Sequence, residues 1–485
     1  MSHTTHSAKM DTLRRLKTNL RNVTIHTAPE ADANNNQKTW STVKKSDHAA
    51  NTVNPIRKIV DALNVPMNPE KAPIRLHLGD PTLTGNMPPP PAAVAAIHQT
   101  LLSETFNGYG PSVGAPCARQ AVVDRYSTPA APFTADDVIL ASGASHALQM
   151  AIEAIADPGD NILVPAPGFP LYATLMKPHG IEEVQYRLRM ESDAMIDIED
   201  LESKITPRTK AIIINNPSNP TGAVFPKQLL EDVLRIAEQY KIVIIADEIY
   251  GDMVYGGAEF HPLYTLAPQV PIITCDGIAK RWLVPGWRLG WCIIHNRHGV
   301  LDEVKEGMVA LSQKIVGPCS LVQGALPKIL KETPEDFFQG IRDIIHQNAT
   351  IVFDALSRIP GLRPVRPNGA MYMMVQIDKK IHGHEKAFVQ GLIQEQSVFC
   401  LPGSAFYAEG YFRVVLTYEP EVTKEACSRI AEFCGVAEVE EEEAATGYES
   451  DEGCVDVGKL ESSEEEEENE RAVSPSTLRR APVVV

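Results

Sequence analysis

The chain has 485 residues, 44% of them hydrophobic; it can bury a large core and, being longer than about 300 residues, is expected to divide into more than one domain. Its net charge is −17, but from Glu438 onward there are 16 acids and 4 basic residues, which leaves only about −5 for everything before. That mildly acidic body excludes nucleic-acid binding through a broad basic surface, and the lack of any apolar run of about eighteen residues excludes a transmembrane helix.

At the N-terminus Lys9, Arg14, Arg15, Lys17 and Arg21 face the single acid Asp11, followed by polar residues from Thr24 to Ser41. The stretch is not convincingly amphipathic, so residues 1–50 are read as a flexible arm of a cytoplasmic protein, with mitochondrial targeting as the minor alternative. Strands are predicted over Val138–Ala141, Asn161–Val164, Glu183–Leu188, Ala211–Ile214, Ile242–Ala246, Ile272–Cys275 and Arg288–Ile294. Helical stretches such as Ser145–Ala156 and Lys227–Tyr240 separate them. Alternation of this kind predicts an α/β fold with a mainly parallel sheet covered on both faces.

Several connections carry chemistry. Ser142-Gly143-Ala144-Ser145 lies between a strand and a helix, where backbone donors and the positive helix end would face an anion. Asn215 to Gly222, Asn-Asn-Pro-Ser-Asn-Pro-Thr-Gly, follows an apolar strand, and ligand sites of open parallel sheets sit at such strand ends. From Ile242 a further apolar strand delivers Asp247 and, three residues on, Tyr250. From Gly277 to Gly290, Lys280 stands among small residues eight positions before Arg288. An amine that condenses with an aldehyde needs small neighbours, and a phosphate tail needs a guanidinium. A cationic pyridinium needs an anion, for which Asp247 is suited, and its ring hydroxyl needs donors, for which Asn219 and Tyr250 are suited. Each motif alone is as well explained by a strand-end turn or a satisfied core acid. The three in order, each after a predicted strand, point to pyridoxal phosphate.

The eight cysteines form no metal-like pairs, and Cys275, Cys292 and Cys319 fall in apolar segments. They read as reduced thiols rather than disulfides. From residue 436 to 485 the acidic runs Glu440–Glu443 and Glu464–Glu468 predict a disordered tail, in which Ser462, Ser463 and Ser474 are candidate phosphorylation sites.

These motifs, with Leu78-Gly79-Asp80-Pro81-Thr82, Tyr109-Gly110-Pro111-Ser112 and Pro360 to Pro367, resemble fold-type I pyridoxal-phosphate enzymes, specifically the class I aminotransferases, over roughly residues 40 to 435. The likeness is strongest to members acting on tyrosine. It implies a large cofactor domain, 101–320, flanked by a smaller α/β domain built from 51–100 and 321–435, and a homodimer with active sites at the subunit boundary. It implies that Gly143, Ala144, Ser145 and Arg288 hold the phosphate together with Tyr109 of the neighbouring subunit, and that Phe169 stacks on the cofactor. It further implies that Arg413, Gly79 and Asn219 receive the substrate, and that Lys280, Asp247 and Tyr250 are the catalytic set. Arg57, Arg363 and Arg366 are assigned to structural or gating roles.

Two departures stand out: Gly277 replaces a serine common in the class, and the charged segment Met373–Gly391 looks short and could border the substrate entrance. The implied reaction is ping-pong transamination of L-tyrosine with 2-oxoglutarate, giving 4-hydroxyphenylpyruvate and L-glutamate, the opening step of tyrosine breakdown. A broader aromatic or alanine aminotransferase shares every catalytic residue, a carbon-sulfur lyase shares the fold, and a non-catalytic scaffold would be free to lose Lys280, Asp247 and Arg413.

Overall fold

The structure is a computed structural model that describes residues 42–62, 65–82, 85–266 and 269–436. The expectations for the first 41 residues, for the acidic tail from 437 and for Ser462, Ser463 and Ser474 lie outside the described residues.

Strands, numbered in chain order, are β1 (Ile74–Arg75), β2 (Val138–Ala141), β3 (Asn161–Ala166), β4 (Glu182–Arg189), β5 (Met195–Ile196), β6 (Thr209–Asn215), β7 (Val243–Asp247), β8 (Ile272–Gly277), β9 (Gly290–His295), β10 (Leu362–Pro364), β11 (Tyr372–Ile377), β12 (Val398–Phe399), β13 (Leu401–Pro402) and β14 (Tyr411–Val415). An eight-stranded sheet runs β2-β9-β8-β7-β6-β3-β4-β5. The interior pairs β8/β7, β7/β6, β6/β3 and β3/β4 are parallel, whereas β9 is antiparallel to both β2 and β8. The strands β2, β8 and β9 are buried at every residue and β6 at nearly every one. Side chains of both faces are therefore covered, which is why these stretches read as continuous apolar runs rather than alternating ones.

One face packs on the helix Ala144–Ile155, with Leu148, Met150 and Ile152 against Ile162, Ile213 and Ile273. The other packs on the helix Lys227–Tyr240, with Leu230, Val233 and Ile236 against Leu163, Ile212 and Ile244. A second sheet, β10-β11-β14-β13, joins a cluster with the helices Glu335–Ser357, Glu385–Gln396 and Pro420–Phe433. The parallel pair β1/β12 ties residue 74 to residue 398.

Three expectations meet different outcomes here. The strand expected from Arg288 begins at Gly290, because Arg288 sits at φ 52° in the left-handed region and cannot continue a ladder. The first residues of the segment expected at the entrance, Met373, Met374 and Val375, are buried in the middle of β11 and paired with β14. Cys319 is exposed, at the start of the helix Ser320–Glu332, while Cys275 and Cys292 are buried and face each other across β8 and β9. All seven described cysteines are free. The boundaries drawn at 100 and 320 fall at helices Pro91–Leu102 and Ser320–Glu332, whose Ala93, Ala96, Ala325 and Ile329 share one core with Val138, Leu140 and Trp291 of the large sheet.

Candidate active site

A cavity of about 250 Å³ opens at the carboxyl ends of β6, β7 and β8, lined by Gly79, Ala144, Ser145, Phe169, Asn219, Asp247, Tyr250, Lys280, Arg288 and Arg413 among others. Ligands of open α/β sheets bind at that edge, because strands end there and the following loops are free to specialise. Ten of the residues singled out in the sequence thus meet in one place. Gly143 adjoins them as the cap of the helix Ala144–Ile155, whose first turn has no side-chain cap. Tyr109 does not join them: it is 97% exposed and does not line the cavity of its own chain.

At the anion end, Arg288 donates from Nη2 to Ser142 O at 3.0 Å and from Nη1 to Pro285 O at 3.1 Å, which places its guanidinium over the loop. Gly143 has φ +76°, and a Cβ there would lie 2.5 Å from Arg288 Nη2. The backbone angle therefore favours glycine, and any side chain there would push the Arg288 guanidinium off the loop. From the other side, Gly290 presses on the same loop, so that a Cβ on it would lie 2.6 Å from the Gly143 carbonyl carbon. His146, which the sequence gave no reason to notice, accepts from Ser142 N at 3.2 Å and braces the loop from within the helix.

At the opposite end, Asp247 is 2% exposed at the tip of β7. Its Oδ2 accepts from the Tyr172 hydroxyl at 2.7 Å, while Oδ1 is buried with no partner. Burial pushes its pKa up to about 6, against the lowering effect of the Tyr172 hydrogen bond. A buried carboxylate oxygen without a donor calls for a cationic N–H. Asn215 holds the two loops together, donating to Asp247 O at 3.0 Å and accepting from Asn219 N at 2.7 Å. Tyr172 was not picked out in the sequence, and Asn215 entered only as the first residue of its loop motif; neither had a role until pairing set it against Asp247.

Between these ends, Lys280 follows β8 and donates from Nζ to Gly79 O at 2.6 Å, 5.9 Å from the centre of the Tyr250 ring. Arg413, 3% exposed on β14, donates to Asn219 Oδ1 at 2.8 Å and to His77 O at 3.1 Å, while its Nε is buried and unpartnered. No carboxylate among the described residues pairs with it, and burial lowers its pKa. Its guanidinium lies 4.2 Å above the Tyr372 ring and 4.5 Å above that of Phe406. The Tyr250 hydroxyl meets the Tyr372 hydroxyl at 2.8 Å. Arg363 and Arg366 stand away from the cavity, Arg366 lying 3.8 Å over Phe353, and Ile56 rather than Arg57 lines it. Gly277 is also explained: a Cβ would lie 2.7 Å from Leu289 O, so a serine has no room on this backbone.

The residues fit a flat, anionic, pyridine-bearing aldehyde. They offer a phosphate cradle, an amine, an orphaned carboxylate oxygen and two hydroxyl or amide partners along one cavity. Among the described residues no cluster of metal-ligating side chains occurs, and no helix is long and apolar enough to cross a membrane.

Residues 71–430 match the family "Aminotransferase class I and II". The chain is 61% identical over 401 residues to tyrosine aminotransferase of Caenorhabditis elegans, covering 82% of this chain and 86% of that one. Among solved structures, a tyrosine aminotransferase from Leishmania infantum superimposes with a TM-score of 0.78 at 31% identity, covering 82% of this chain and 99% of the other. An alanine aminotransferase from Pyrococcus furiosus does so with 0.75 at 34% identity, covering 81% and 100%. A match spanning most of the chain, together with Lys280, Asp247 and Arg413 gathered at one sheet edge, means that the chain belongs to the class I and II aminotransferases.

Proposed function

We propose that this aminotransferase acts on L-tyrosine, passing its amino group by a ping-pong route to 2-oxoglutarate and releasing 4-hydroxyphenylpyruvate and L-glutamate. The observation that carries the chemistry is the buried, unpartnered Oδ1 of Asp247 in the same cavity as Lys280 and Arg413. The preference for tyrosine rests on the likeness to the nematode and Leishmania enzymes.

Pyridoxal phosphate, held by Lys280, Gly143, Ala144, Ser145 and Arg288 with Phe169 against its ring, would supply an electron sink for the bond broken at the amino-acid Cα. Arg413, which lines the cavity and pairs with no carboxylate among the described residues, binds the α-carboxylate, for which a planar fork is suited. Asn219, already ordered by Arg413, orients the same group and reaches toward the ring oxygen beside Tyr250. Asp247 holds a proton on the pyridine nitrogen, with Tyr172 keeping the carboxyl aligned. Lys280, once displaced by substrate, takes the Cα proton and gives it back on the other side of the transferred nitrogen. Gly79 accepts from Lys280 through its carbonyl and leaves room for the Tyr372 hydroxyl, which a Cβ would approach to 2.4 Å.

The proposal includes a cytoplasmic homodimer in which Tyr109 reaches the partner's phosphate loop, and a role at the start of tyrosine catabolism. The assembly rests on the family likeness, and Tyr109, which does not line the cavity of its own chain, is the residue it assigns to the neighbour. The division into a large cofactor body and a smaller one around β10, β11, β13 and β14 belongs to the same reading.

The test is a single-turnover absorbance experiment on cofactor-loaded protein, mixed separately with tyrosine and with alanine in the absence of keto acid. Bleaching of the visible band with formation of 4-hydroxyphenylpyruvate supports the proposal. The archaeal likeness favours one second reading, an enzyme of broader or alanine specificity, which bleaching by alanine alone would establish. Ammonia and pyruvate from a cysteine conjugate would instead mark a carbon-sulfur lyase.

A further inference from the structure

Tyr372 is absent from the residues expected in the site, yet it lies against three of them, Gly79, Tyr250 and Arg413. It is 2% exposed in β11 and lies diagonally across the ladder from Arg413, since Tyr372 pairs with Val415 and Met374 with Arg413. Diagonal neighbours on one sheet face are within reach of long side chains. The result is the guanidinium of Arg413 held 4.2 Å above the Tyr372 ring. At its other end the hydroxyl is wedged beside Gly79, where no Cβ could be tolerated, and meets the Tyr250 hydroxyl at 2.8 Å.

Resting on the function proposed above, we infer that Tyr372 is a positioning residue with two separable tasks: its hydroxyl aims the Tyr250 hydroxyl at the cofactor ring oxygen, and its ring backs the Arg413 guanidinium. Each phenol has a single proton to donate. In a pair of phenols one donates and the other's proton is left for a third group. When Tyr372 donates to Tyr250, the Tyr250 proton is turned into the cavity. An acceptor arriving there completes a two-bond chain whose members polarise one another, and this orientation is favoured over the reverse. Without the Tyr372 hydroxyl, Tyr250 keeps its ring position but loses the constraint on its proton. Without the Tyr372 ring, Arg413 keeps its bonds to Asn219 and His77 and its contact with Phe406 but loses the nearer of its two stacking surfaces, so the carboxylate anchor loosens while the Tyr250 geometry is a separate loss.

The two tasks separate in full-length protein loaded with pyridoxal phosphate. A pH titration of the visible absorbance reads the hydrogen bonding at the ring oxygen. Tyr372→Phe is expected to move its midpoint up by roughly half a unit to one unit and to lower kcat about 3- to 10-fold, with KM for the amino acid within about twofold. Tyr250→Phe should move it at least as far, and Tyr250→Phe combined with Tyr372→Phe no further than Tyr250→Phe alone, since the second acts through the first. Tyr372→Leu should add a rise of about 10-fold or more in KM for both the amino acid and the keto acid. A Tyr372→Phe midpoint unchanged from wild type, or a shift fully additive with that of Tyr250→Phe, overturns the hydroxyl task. A KM for Tyr372→Leu equal to that of Tyr372→Phe overturns the ring task. If wild-type protein itself gives no visible band with the cofactor, the proposed function falls first, and that outcome is seen before any variant is made.

Discussion

Asp247 illustrates how burial and function are set against each other at a single residue. Its pKa is raised from 3.8 to about 6 because burial penalises the charge more than Tyr172 relieves it. A carboxyl raised in this way holds a proton in the folded state that the unfolded chain has already released. Its stabilising effect is therefore fully present below the unfolded value and is lost as pH rises through the folded one. In cofactor-free protein, the stability of wild type relative to Asp247→Asn should accordingly fall by roughly 2–3 kcal/mol between about pH 4 and pH 7. Urea midpoints for both proteins across that range measure it, and a flat difference would contradict the buried, unpartnered carboxylate. A pyridinium bound at Oδ1 would remove the penalty, so loading with cofactor should flatten the curve. Lys280 presents the opposite case. Among the described residues its side chain bonds to Gly79 O alone, so Lys280→Ala should leave the thermal midpoint of cofactor-free protein nearly unchanged while turnover falls by more than about 10³-fold, since both the attachment point and the proton carrier are gone. Near-normal turnover in that variant would refute the mechanism.

At the scale of elements, the phosphate cradle depends on three backbones packed without side chains between them. Gly143 caps the helix Ala144–Ile155, Gly290 begins β9, and Gly277 ends β8 opposite Gly290. A Cβ at Gly290 would approach the Gly143 carbonyl carbon to 2.6 Å and Ala144 N to 2.7 Å. Gly290→Ala must therefore push the loop off Arg288. The expected result is a loss of about 1–3 kcal/mol in stability and cofactor affinity weakened about 10-fold or more, measured by equilibrium titration of the visible band. Unchanged affinity would mean that the loop yields without cost. These elements were readable in advance because runs such as Val138–Ala141 and Ala211–Ile214 are uniformly apolar. What the runs could not tell was direction. Parallel and antiparallel neighbours both present fully buried faces, so the reversal of β9 inside the sheet leaves no mark on its composition. Nor could they place Met373–Val375, whose apolar residues fit a cavity rim as well as a buried strand.

Over the whole molecule, the substrate anchor is built by segments far apart in the chain. Arg413 on β14 is held by Asn219 and by the carbonyl of His77, and β14 is continued by residues that Asn348 grips, donating to Leu416 O at 3.0 Å and to Tyr418 O at 2.6 Å. Asn348 is fully buried. Asn348→Leu should cost about 2–4 kcal/mol, because two carbonyls lose their donor, and should raise KM for both substrates more than it lowers kcat. Denaturant unfolding together with steady-state kinetics checks both. Assembly can be tested without a structure of the dimer. Mixing Tyr109→Phe protein with Lys280→Ala protein and allowing subunits to exchange should give sites with wild-type cofactor affinity in hybrid molecules only, if Tyr109 serves the neighbour. Affinity no better than the separate variants would place Tyr109 outside the site.

The sequence by itself determined the chemistry at strand ends: an amine among small residues, a carboxylate delivered by an apolar run and an arginine eight positions on. These are local patterns, each imposed by a strand that must stop and a loop that must bind, and a linear chain records them. Tertiary structure alone decided the partners. Tyr172 became the aligner of Asp247, Asn215 the tie between two loops, and Tyr372 the meeting point of Tyr250, Gly79 and Arg413, because sheet pairing brought together residues from distant parts of the chain, Gly79 and Tyr372 among them. A tyrosine's place in such a network is fixed by where its ring lands, and nothing in its neighbours along the chain encodes that.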